Sequence, residues 1–326
     1  MKFLHRGRLN LCTLALGGVL AACIQTSPVD SVGEQTPELA QKDMELRSAD
    51  LYADYFPARS VERGPAILLL GGSEGGLGKG ARRNALALRE AGYHVLQVSY
   101  YRAPGQPENL EMIPLETFDR ALDWLKQREE VQAGKIGIYG ASKGAEAALI
   151  TSSRHPEIEA VVAIVPSSVS WLGINWAFDG RAPDASWSLG GAAYPALPYG
   201  AWDPELGLYS LYVNGLAKVA DHPEAVIPVE RTDAPMLLIC GGEDTLWPSC
   251  DMSEQIRVRA EKSGNENVTL LTYPEAGHFA GGAPGEAPEA DEASEFGGTT
   301  QANYASQQDS WPRLLSFLGE ALLTEE

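Results

Sequence analysis

Two serines of the chain stand in the pattern G-x-S-x-G, which can present a serine hydroxyl as a nucleophile. Ser73 lies in GGSEG at residues 71–75, and Ser142 lies in GASKG at residues 140–144. The pattern alone is a weak indication, because a glycine-rich chain matches it by chance. The segments on either side must therefore show which serine attacks a substrate.

Ser142 has the surroundings that a nucleophile needs. The strand predicted at KIGIY, residues 135–139, runs directly into the turn, and the helix predicted at residues 143–153 follows at once. A tight turn between strand and helix exposes the hydroxyl and points the free N–H groups of the helix towards it. The alternative is that Ser142 only caps this helix, which serine does well. We interpret Ser142 as the nucleophile.

The loop around Ser73 suits a different task. It follows the strand predicted at residues 66–70, and its many glycines delay the next helix, whereas such connections are usually short. A flexible loop of this kind can place backbone amides where negative charge develops, as an oxyanion hole requires. We predict oxyanion donors in the amides of Ser73, with Glu74 next, and of Lys143, the residue after the nucleophile. A plain connecting turn is the alternative.

A serine hydroxyl needs an adjacent base, and His278 is the candidate among the five histidines. It follows the last predicted strand in YPEAGHF, where the α/β-hydrolase plan has its base. His94 lies inside a predicted strand, which favours a place in the core. His155 and His222 each precede a proline in a predicted surface turn. The alternative for His278 is an ordinary solvated loop histidine.

The carboxylate that orients the imidazole is predicted in GGEDTLWPS, directly after the strand predicted at residues 236–240. We prefer Asp244, and Glu243, one residue earlier, is the alternative. Functional groups gather at the carboxyl ends of parallel strands, which is where this segment lies. The resulting order along the chain, serine then aspartate then histidine, is the order of α/β-hydrolases.

The elements that must position these groups alternate between apolar strands and helices. This alternation predicts an α/β fold in which helices cover both faces of a mostly parallel central sheet. Strands are predicted at residues 66–70, 93–99, 135–139, 160–165, 236–240 and 268–273. Helices are predicted at residues 79–91, 115–130, 143–153, 249–262 and 310–323.

Two segments interrupt the alternation. Residues 166–230 form a long insertion rich in aromatic residues, and residues 280–308 are rich in Gly, Ala and acids without a period. We predict that the insertion caps an apolar acyl group, with Trp171 and Trp187, together with Trp247, as substrate contacts. The alternative is that these aromatics only pack the insertion onto the domain. The acidic loop either borders the entrance or is solvated and mobile.

The first 23 residues indicate export. Lys2, Arg6 and Arg8 precede an apolar run that is too short to span a bilayer comfortably and that ends in Leu-Ala-Ala-Cys. This end resembles the bacterial lipobox, so residues 1–23 are predicted to be a lipoprotein signal peptide and Cys23 the lipid attachment site. An ordinary secretory signal is the alternative. We expect an exported bacterial lipoprotein, periplasmic or anchored to the outer membrane.

Residues 24–48 are polar and contain two prolines, and we interpret them as a tether between lipid and domain. The hydrolase domain is expected over residues 49–326. In an exported protein Cys240 and Cys250 can form a disulfide. Alternatively, Cys240 is a small apolar residue at a buried strand end.

The composition limits the partners. The formal net charge is −19, and a charge this negative repels nucleic acid and anionic membrane surfaces. No Cys/His spacing suggests a metal site, and the chemistry of an activated serine requires neither a metal nor an organic cofactor. The expected partners are a small-molecule acyl ester or thioester and, through the lipid anchor, a membrane.

Several motifs resemble the catalytic domain of acyl-CoA thioesterases and bile acid-CoA:amino acid N-acyltransferases. The resemblance runs from about residue 50 to 322 and is carried by YGASKGAEAAL, GGSEGG, IPLETFDRALDWL, VVAIVPSSVSW, GGEDTLWPS and YPEAGHF. It implies an α/β-hydrolase fold with a triad of Ser or Cys, Asp and His. These roles fall on Ser142, Asp244 and His278.

The chain departs from that family in two ways. Animal members carry an amino-terminal β-sandwich domain, where this chain has only the predicted tether, and the N-acyltransferases use cysteine, where this chain has Ser142. A serine ester favours hydrolysis by water over transfer to an amine. An exported chain would not ordinarily meet acyl-CoA, so the resemblance supports the chemistry better than the substrate.

We therefore predict a serine hydrolase that cleaves an acyl thioester or ester through an acyl-enzyme. An envelope carboxylesterase or deacetylase unrelated to CoA is the first alternative. The second is a lipoprotein of the same fold that binds a ligand without reacting.

Overall fold

The computed structural model describes residues 42–324. The predicted signal peptide, Cys23 and most of the predicted tether lie outside the described residues. The strands are β1 Met44–Arg47, β2 Tyr52–Phe56, β3 Gly64–Leu70, β4 His94–Ser99, β5 Ile113–Pro114, β6 Val131–Ala141, β7 Ala160–Ile164, β8 Trp187–Leu189, β9 Ala192–Ala193, β10 Met236–Gly241 and β11 Val268–Tyr273. The α-helices are α1 Lys79–Glu90, α2 Glu116–Lys126, α3 Lys143–Ser152, α4 Leu208–Leu216, α5 Ser249–Lys262 and α6 Thr300–Leu322.

Eight strands form the central sheet, in the order β1-β2-β4-β3-β6-β7-β10-β11. β2 pairs antiparallel with β1 and with β4, and the pairings from β4 to β11 are parallel. β3, β4, β7 and β10 are buried along their whole length. Burial on both faces explains why the sequences of β3, β7 and β10 are almost continuously apolar, whereas β4 also buries His94, Gln97 and Ser99. The mostly parallel sheet is as predicted.

The amino-terminal edge of the sheet begins earlier than the sequence indicated. β1 lies inside residues 24–48, which we predicted to be a tether, and it pairs with β2. Neither strand was predicted, because β1 has only four residues, all of them partly or fully exposed, and β2 has five. Short strands of this kind lack the long apolar run that identifies a buried strand.

Helix α6 begins ten residues before the predicted start at residue 310. The side chain of Thr299 caps it by accepting a hydrogen bond from the backbone N–H of Ala302 at 3.1 Å. Pro312 lies inside the helix. Proline is common in the first turn of a helix, so Pro312 fits the predicted start although it lies in the middle of α6. The end of the acidic segment 280–308 is therefore helical.

The insertion, residues 166–230, contains α4 and the strands β8 and β9, which join β5 in a separate three-stranded sheet. Three of its aromatic residues, Trp171, Tyr199 and Tyr212, pack among themselves and against Trp247 in a separate core cluster. The loop after β10 is closed by a disulfide between Cys240 and Cys250, whose Cα atoms are 5.1 Å apart. Of the two alternatives for Cys240, the structure has the disulfide. Within residues 42–324, no helix combines the length and apolar character needed to cross a bilayer.

Candidate active site

Ser142, Asp244 and His278 meet at the carboxyl edge of the central sheet, after β6, β10 and β11 respectively. The Ser142 Oγ atom lies 2.9 Å from His278 Nε2, and His278 Nδ1 lies 2.9 Å from Asp244 Oδ2. A carboxylate can only accept hydrogen bonds, so Nδ1 carries the proton and Nε2 can accept from the serine hydroxyl. The structure thus brings the three predicted side chains into one hydrogen-bonded line.

The aspartate and the histidine are shielded from solvent, at 6% and 7% exposure. The other carboxylate oxygen of Asp244 accepts the backbone N–H groups of Leu246 at 3.0 Å and Trp247 at 3.2 Å. Both oxygens are therefore used, which fixes the carboxylate facing the imidazole. Glu243, the alternative acid, is exposed, and no hydrogen bond joins it to His278 among the residues that the structure describes.

The backbone at Ser142 is strained, as a sharp turn between strand and helix demands. Its φ is +54° and its ψ is −121°, a region that residues with a side chain rarely occupy. At Gly140 and Gly144, on either side of Ser142, the neighbouring backbone leaves no room for a side chain. A Cβ atom at Gly140 would lie 2.2 Å from the carbonyl oxygen of Gly144, and one at Gly144 would lie 2.1 Å from that of Gly71.

The glycine-rich loop after β3 lies beside this turn, because Leu70 of β3 pairs with Gly140 of β6. A Cβ at Gly72 would be only 3.3 Å from the Ser142 Cβ. Ser73 and Lys143 both line the cavity next to the hydroxyl. Within residues 42–324, neither of their backbone N–H groups donates a hydrogen bond. Two free amides therefore stand near the candidate nucleophile, as an oxyanion hole requires.

The backbone N–H of Glu74, the third predicted donor, is directed to the carboxyl group of its own side chain. Although Glu74 as a whole is exposed, its carboxyl group folds back into the loop, where an added Cβ at Gly71 would lie 2.3 Å from it. The loss of water there raises the pKa of this carboxyl, while the backbone N–H groups of Glu74 and Gly72 oppose the rise. Of the two loop amides, Ser73 is therefore better placed to bind an oxyanion.

Tyr100, just after β4, orients this loop. Its hydroxyl donates to the carbonyl of Gly71 at 2.7 Å and also to that of Gly72. In a planar trans peptide the carbonyl and the next N–H point in opposite directions. Holding the Gly72 carbonyl therefore turns the Ser73 N–H away from Tyr100. Burial, above all, raises the pKa of Tyr100 well above its usual range, so its hydroxyl stays protonated as a donor.

A cavity of about 1130 Å³ opens onto the Ser142 hydroxyl and His278. Most of its wall away from these groups is apolar or aromatic, and much of that wall comes from the insertion and from the loop after β11. The aromatic residues that line it are Tyr139, Trp176, Phe178, Tyr199, Tyr212, Trp247, Phe279 and Phe296. Residues 166–230 therefore cover the site, and Gly281, Phe296 and Gln307 place the acidic segment at its border.

Of the three predicted substrate contacts, only Trp247 lines the cavity. Trp171 and Trp187 are completely buried, so the prediction that they touch a substrate is wrong. Trp187 packs against Tyr100 and Phe118 in the main core. The sequence shows that the insertion is aromatic, but it does not show which rings face inwards.

Two functional candidates were missed at the sequence level, Tyr100 and Glu146. Glu146 forms a buried ion pair with Lys143, with 2.7 Å between Oε2 and Nζ. Burial lowers the pKa of Lys143, and Glu146 opposes this. The three-residue spacing of Lys143 and Glu146 was the available signal, because such residues share one face of a helix.

Residues 113–324 match the family model described as "BAAT / Acyl-CoA thioester hydrolase C terminal". The chain is 29% identical over 267 residues to the Mus musculus "Acyl-coenzyme A thioesterase 2, mitochondrial", covering 79% of this chain and 55% of that protein. It is 28% identical over 270 residues to the Mus musculus "Acyl-coenzyme A thioesterase 1", covering 80% and 61%. The chain thus spans somewhat more than half the length of these relatives.

Among solved structures, the α/β hydrolase GrgF from Penicillium sp. sh18 superposes with a TM-score of 0.54 at 16% identity, covering 87% of this chain and 99% of that one. A putative dienelactone hydrolase from Klebsiella pneumoniae gives 0.52 at 17% identity, covering 86% and 98%. At these identities the likeness concerns the fold alone. The fold is that of the α/β-hydrolases, as the sequence predicted.

Proposed function

Because the chain belongs to the BAAT / acyl-CoA thioester hydrolase C-terminal family, we propose that it is a serine hydrolase acting on an acyl thioester or ester. The observation that carries the proposal is the line from Ser142 through His278 to Asp244, with 2.9 Å at each contact. A serine with these two neighbours can be deprotonated as it attacks a carbonyl. The enzyme would form an acyl-enzyme on Ser142 and release it to water.

Each group then has one task. His278 takes the proton of the Ser142 hydroxyl and delivers it to the leaving thiol or alcohol. Asp244 keeps Nδ1 protonated and stabilises the imidazolium that forms. The amides of Lys143 and Ser73 bind the oxyanion. Water attacks the acyl-enzyme with His278 again as base, which regenerates the serine.

For the substrate, we propose an acyl thioester of the kind that acyl-CoA thioesterases cleave. Two features support this choice. The similar proteins from mouse are named acyl-coenzyme A thioesterases, and the cavity beside Ser142 has an apolar wall on which an acyl chain can pack.

A fluorophosphonate probe tests the chemistry first, since it reacts only with an activated serine. We expect one adduct, mapped by peptide mass spectrometry to the peptide that contains Ser142. Residues 24–326 are then offered acyl-CoAs and p-nitrophenyl esters of graded chain length. An unlabelled, properly folded protein would instead favour the ligand-binding alternative.

An envelope carboxylesterase is the second candidate, and the disulfide between Cys240 and Cys250 favours it. Disulfides persist in oxidising compartments, where acyl-CoA is not an ordinary metabolite. Rapid cleavage of p-nitrophenyl esters without release of CoA from any acyl-CoA would select this candidate over the thioesterase.

We also propose that the protein is an exported lipoprotein anchored through Cys23. The lipobox-like sequence and the disulfide support this proposal. Metabolic labelling with a palmitate analogue tests it: the native chain should be labelled and sediment with membranes, and a Cys23→Ser chain should do neither. Equal labelling of both chains would refute the anchor.

A further inference from the structure

Helix α3 carries a completely buried ion pair on its first turn, directly after Ser142. Lys143 and Glu146 are 2% and 0% exposed, with 2.7 Å between Nζ and Oε2. The desolvation penalty of two buried charges often exceeds the energy of their attraction. Replacing such pairs by apolar residues is therefore often neutral or stabilising. Stability alone is therefore a poor explanation for this pair.

The second carboxylate oxygen of Glu146 reaches out of the helix and holds the insertion. Oε1 accepts the backbone N–H of Trp171 at 3.0 Å and the indole N–H of Trp187 at 2.7 Å. Both tryptophans belong to residues 166–230, and both are completely buried. One carboxylate thus ties the first turn of α3 to two separate points of the segment that covers the cavity.

From Trp171 a continuous series of ring contacts leads back to the histidine. Trp171 stacks on Tyr199 and meets Tyr212 edge-on, with centroids 5.9 and 5.0 Å apart. Tyr212 meets Trp247 at 5.3 Å, and Trp247 meets His278 at 5.6 Å. Tyr199, Tyr212 and Trp247 line the cavity. We call these three rings the aromatic wall.

We propose that Glu146 is a positioning residue that fixes the aromatic wall relative to Ser142, and that this wall is the surface on which the acyl chain of the substrate packs. The inference rests on the proposed function and deepens it by naming the acyl subsite. With the wall fixed, a long acyl chain lies in one place and its carbonyl is held at the hydroxyl. Because Trp247 lies beside His278, a short acyl group reaches only that end of the wall and gains little from Glu146.

The test uses two double variants that differ at one position only, Lys143→Met/Glu146→Gln and Lys143→Met/Glu146→Ala. Both lack the ion pair and carry the same charge. The glutamine carbonyl still accepts from both tryptophans, whereas alanine leaves their N–H groups without an acceptor. Any effect of the methionine on the Lys143 amide is common to both, so only the anchor of the insertion distinguishes them.

We expect the alanine variant to show a KM for p-nitrophenyl dodecanoate on the order of tenfold above that of the glutamine variant. The Kd for dodecanoate should rise by a similar factor. The KM for p-nitrophenyl acetate should differ between the two by less than about twofold, because an acetyl group buries little apolar surface against the wall. Equal values for the twelve-carbon ligands in two folded variants would overturn the inference.

Trp187→Phe provides a second test if the alanine variant does not fold. It removes one of the two anchors and leaves the ion pair intact, so the KM and Kd for the twelve-carbon ligands should rise about threefold. An unchanged KM and Kd in the folded variant would count against the inference. The Kd for dodecanoate requires no hydrolysis. A wild-type protein that cleaves no ester, but whose variants show the expected Kd changes, would refute the hydrolase and support the wall.

Discussion

The two glycine-flanked serine turns share a sequence pattern and an edge of the sheet, and they differ in backbone conformation. They follow the neighbouring strands β3 and β6, which are paired from Ala66 with Ile136 to Leu70 with Gly140. Ser142 has a φ of +54°, in the left-handed region, and Ser73 does not. The turn at Ser142 enters α3 directly, whereas the turn at Ser73 continues through glycines before α1 begins.

This difference assigns the two turns complementary tasks. A strained turn holds its side chain clear of the backbone, which is what an attacking hydroxyl needs. The hydroxyl of Tyr100 donates to the carbonyls of Gly71 and Gly72. The amides of this loop therefore point away from Tyr100. In the proposed mechanism, the common pattern therefore marks two parts of one site rather than two competing nucleophiles.

The largest expected effect separates the two serine hydroxyls. Ser142→Ala should lower kcat for p-nitrophenyl acetate by about 10⁴-fold or more, because no other hydroxyl can form the acyl-enzyme. Ser73→Ala keeps its backbone amide and should lose at most about tenfold. Steady-state kinetics of both variants decide the matter, and losses of similar size would contradict the assignment of tasks.

Gly144, in the turn at Ser142, packs against the loop that contains Ser73. We expect Gly144→Ala to push the two segments apart. The added Cβ would lie 2.1 Å from the carbonyl oxygen of Gly71 and 2.4 Å from that of Leu70. We expect a loss of about 3 kcal/mol in the free energy of unfolding, together with a fall in kcat.

Gly80→Ala is the matched control, because a Cβ there meets nothing within 4 Å and α1 gains a better helix former. Urea unfolding compares the two variants. A Gly144→Ala protein as stable as Gly80→Ala would show that the turns are not in contact.

Much of the fold follows from local sequence. The long apolar runs of β3, β7 and β10 identify these buried strands, and α5 and β11 have the predicted bounds. The short strands β1 and β2 escaped prediction because their stability comes from pairing, which one segment of sequence does not contain. The predicted helix begins ten residues later than α6, because the cap Thr299 and the first turns of α6 lie in the acidic segment, whose sequence shows no helical period.

The site, like the fold, has residues that local sequence predicts and residues that depend on distant contacts. The positions of Ser142, Asp244 and His278 followed from strand ends, because parallel strands bring their carboxyl ends to one edge. The roles of Tyr100 and Glu146 did not follow, since each acts through contacts with segments far away in the sequence. Trp171 and Trp187 were assigned to the substrate because composition shows that rings are present, but only packing shows which of them face the cavity.

A moderate effect is expected from the hydroxyl that orients the Ser73 loop. Tyr100→Phe removes the donor to the Gly71 and Gly72 carbonyls while keeping the ring, so the Ser73 amide loses its fixed direction. We expect kcat to fall by about ten- to a hundredfold, approaching the loss of an oxyanion donor, with KM little changed.

Tyr93→Phe is the control for Tyr100→Phe. It removes the hydroxyl of another buried tyrosine, one that makes no hydrogen bond to either turn among the described residues. If both variants lost the same activity, the effect would come from the core and not from the orientation of the loop.

The smallest expected effect is thermodynamic, and it reverses sign between the two turns. Ser142→Gly should raise the free energy of unfolding by about 1 kcal/mol, because glycine adopts the positive φ without the cost that serine bears there. Ser73→Gly should lower it by about 0.5 kcal/mol, because its backbone is unstrained and glycine only adds freedom to the unfolded chain. Urea midpoints at unchanged m-value measure both changes. Two changes of the same sign would show that strain does not distinguish the attacking turn from the donating loop.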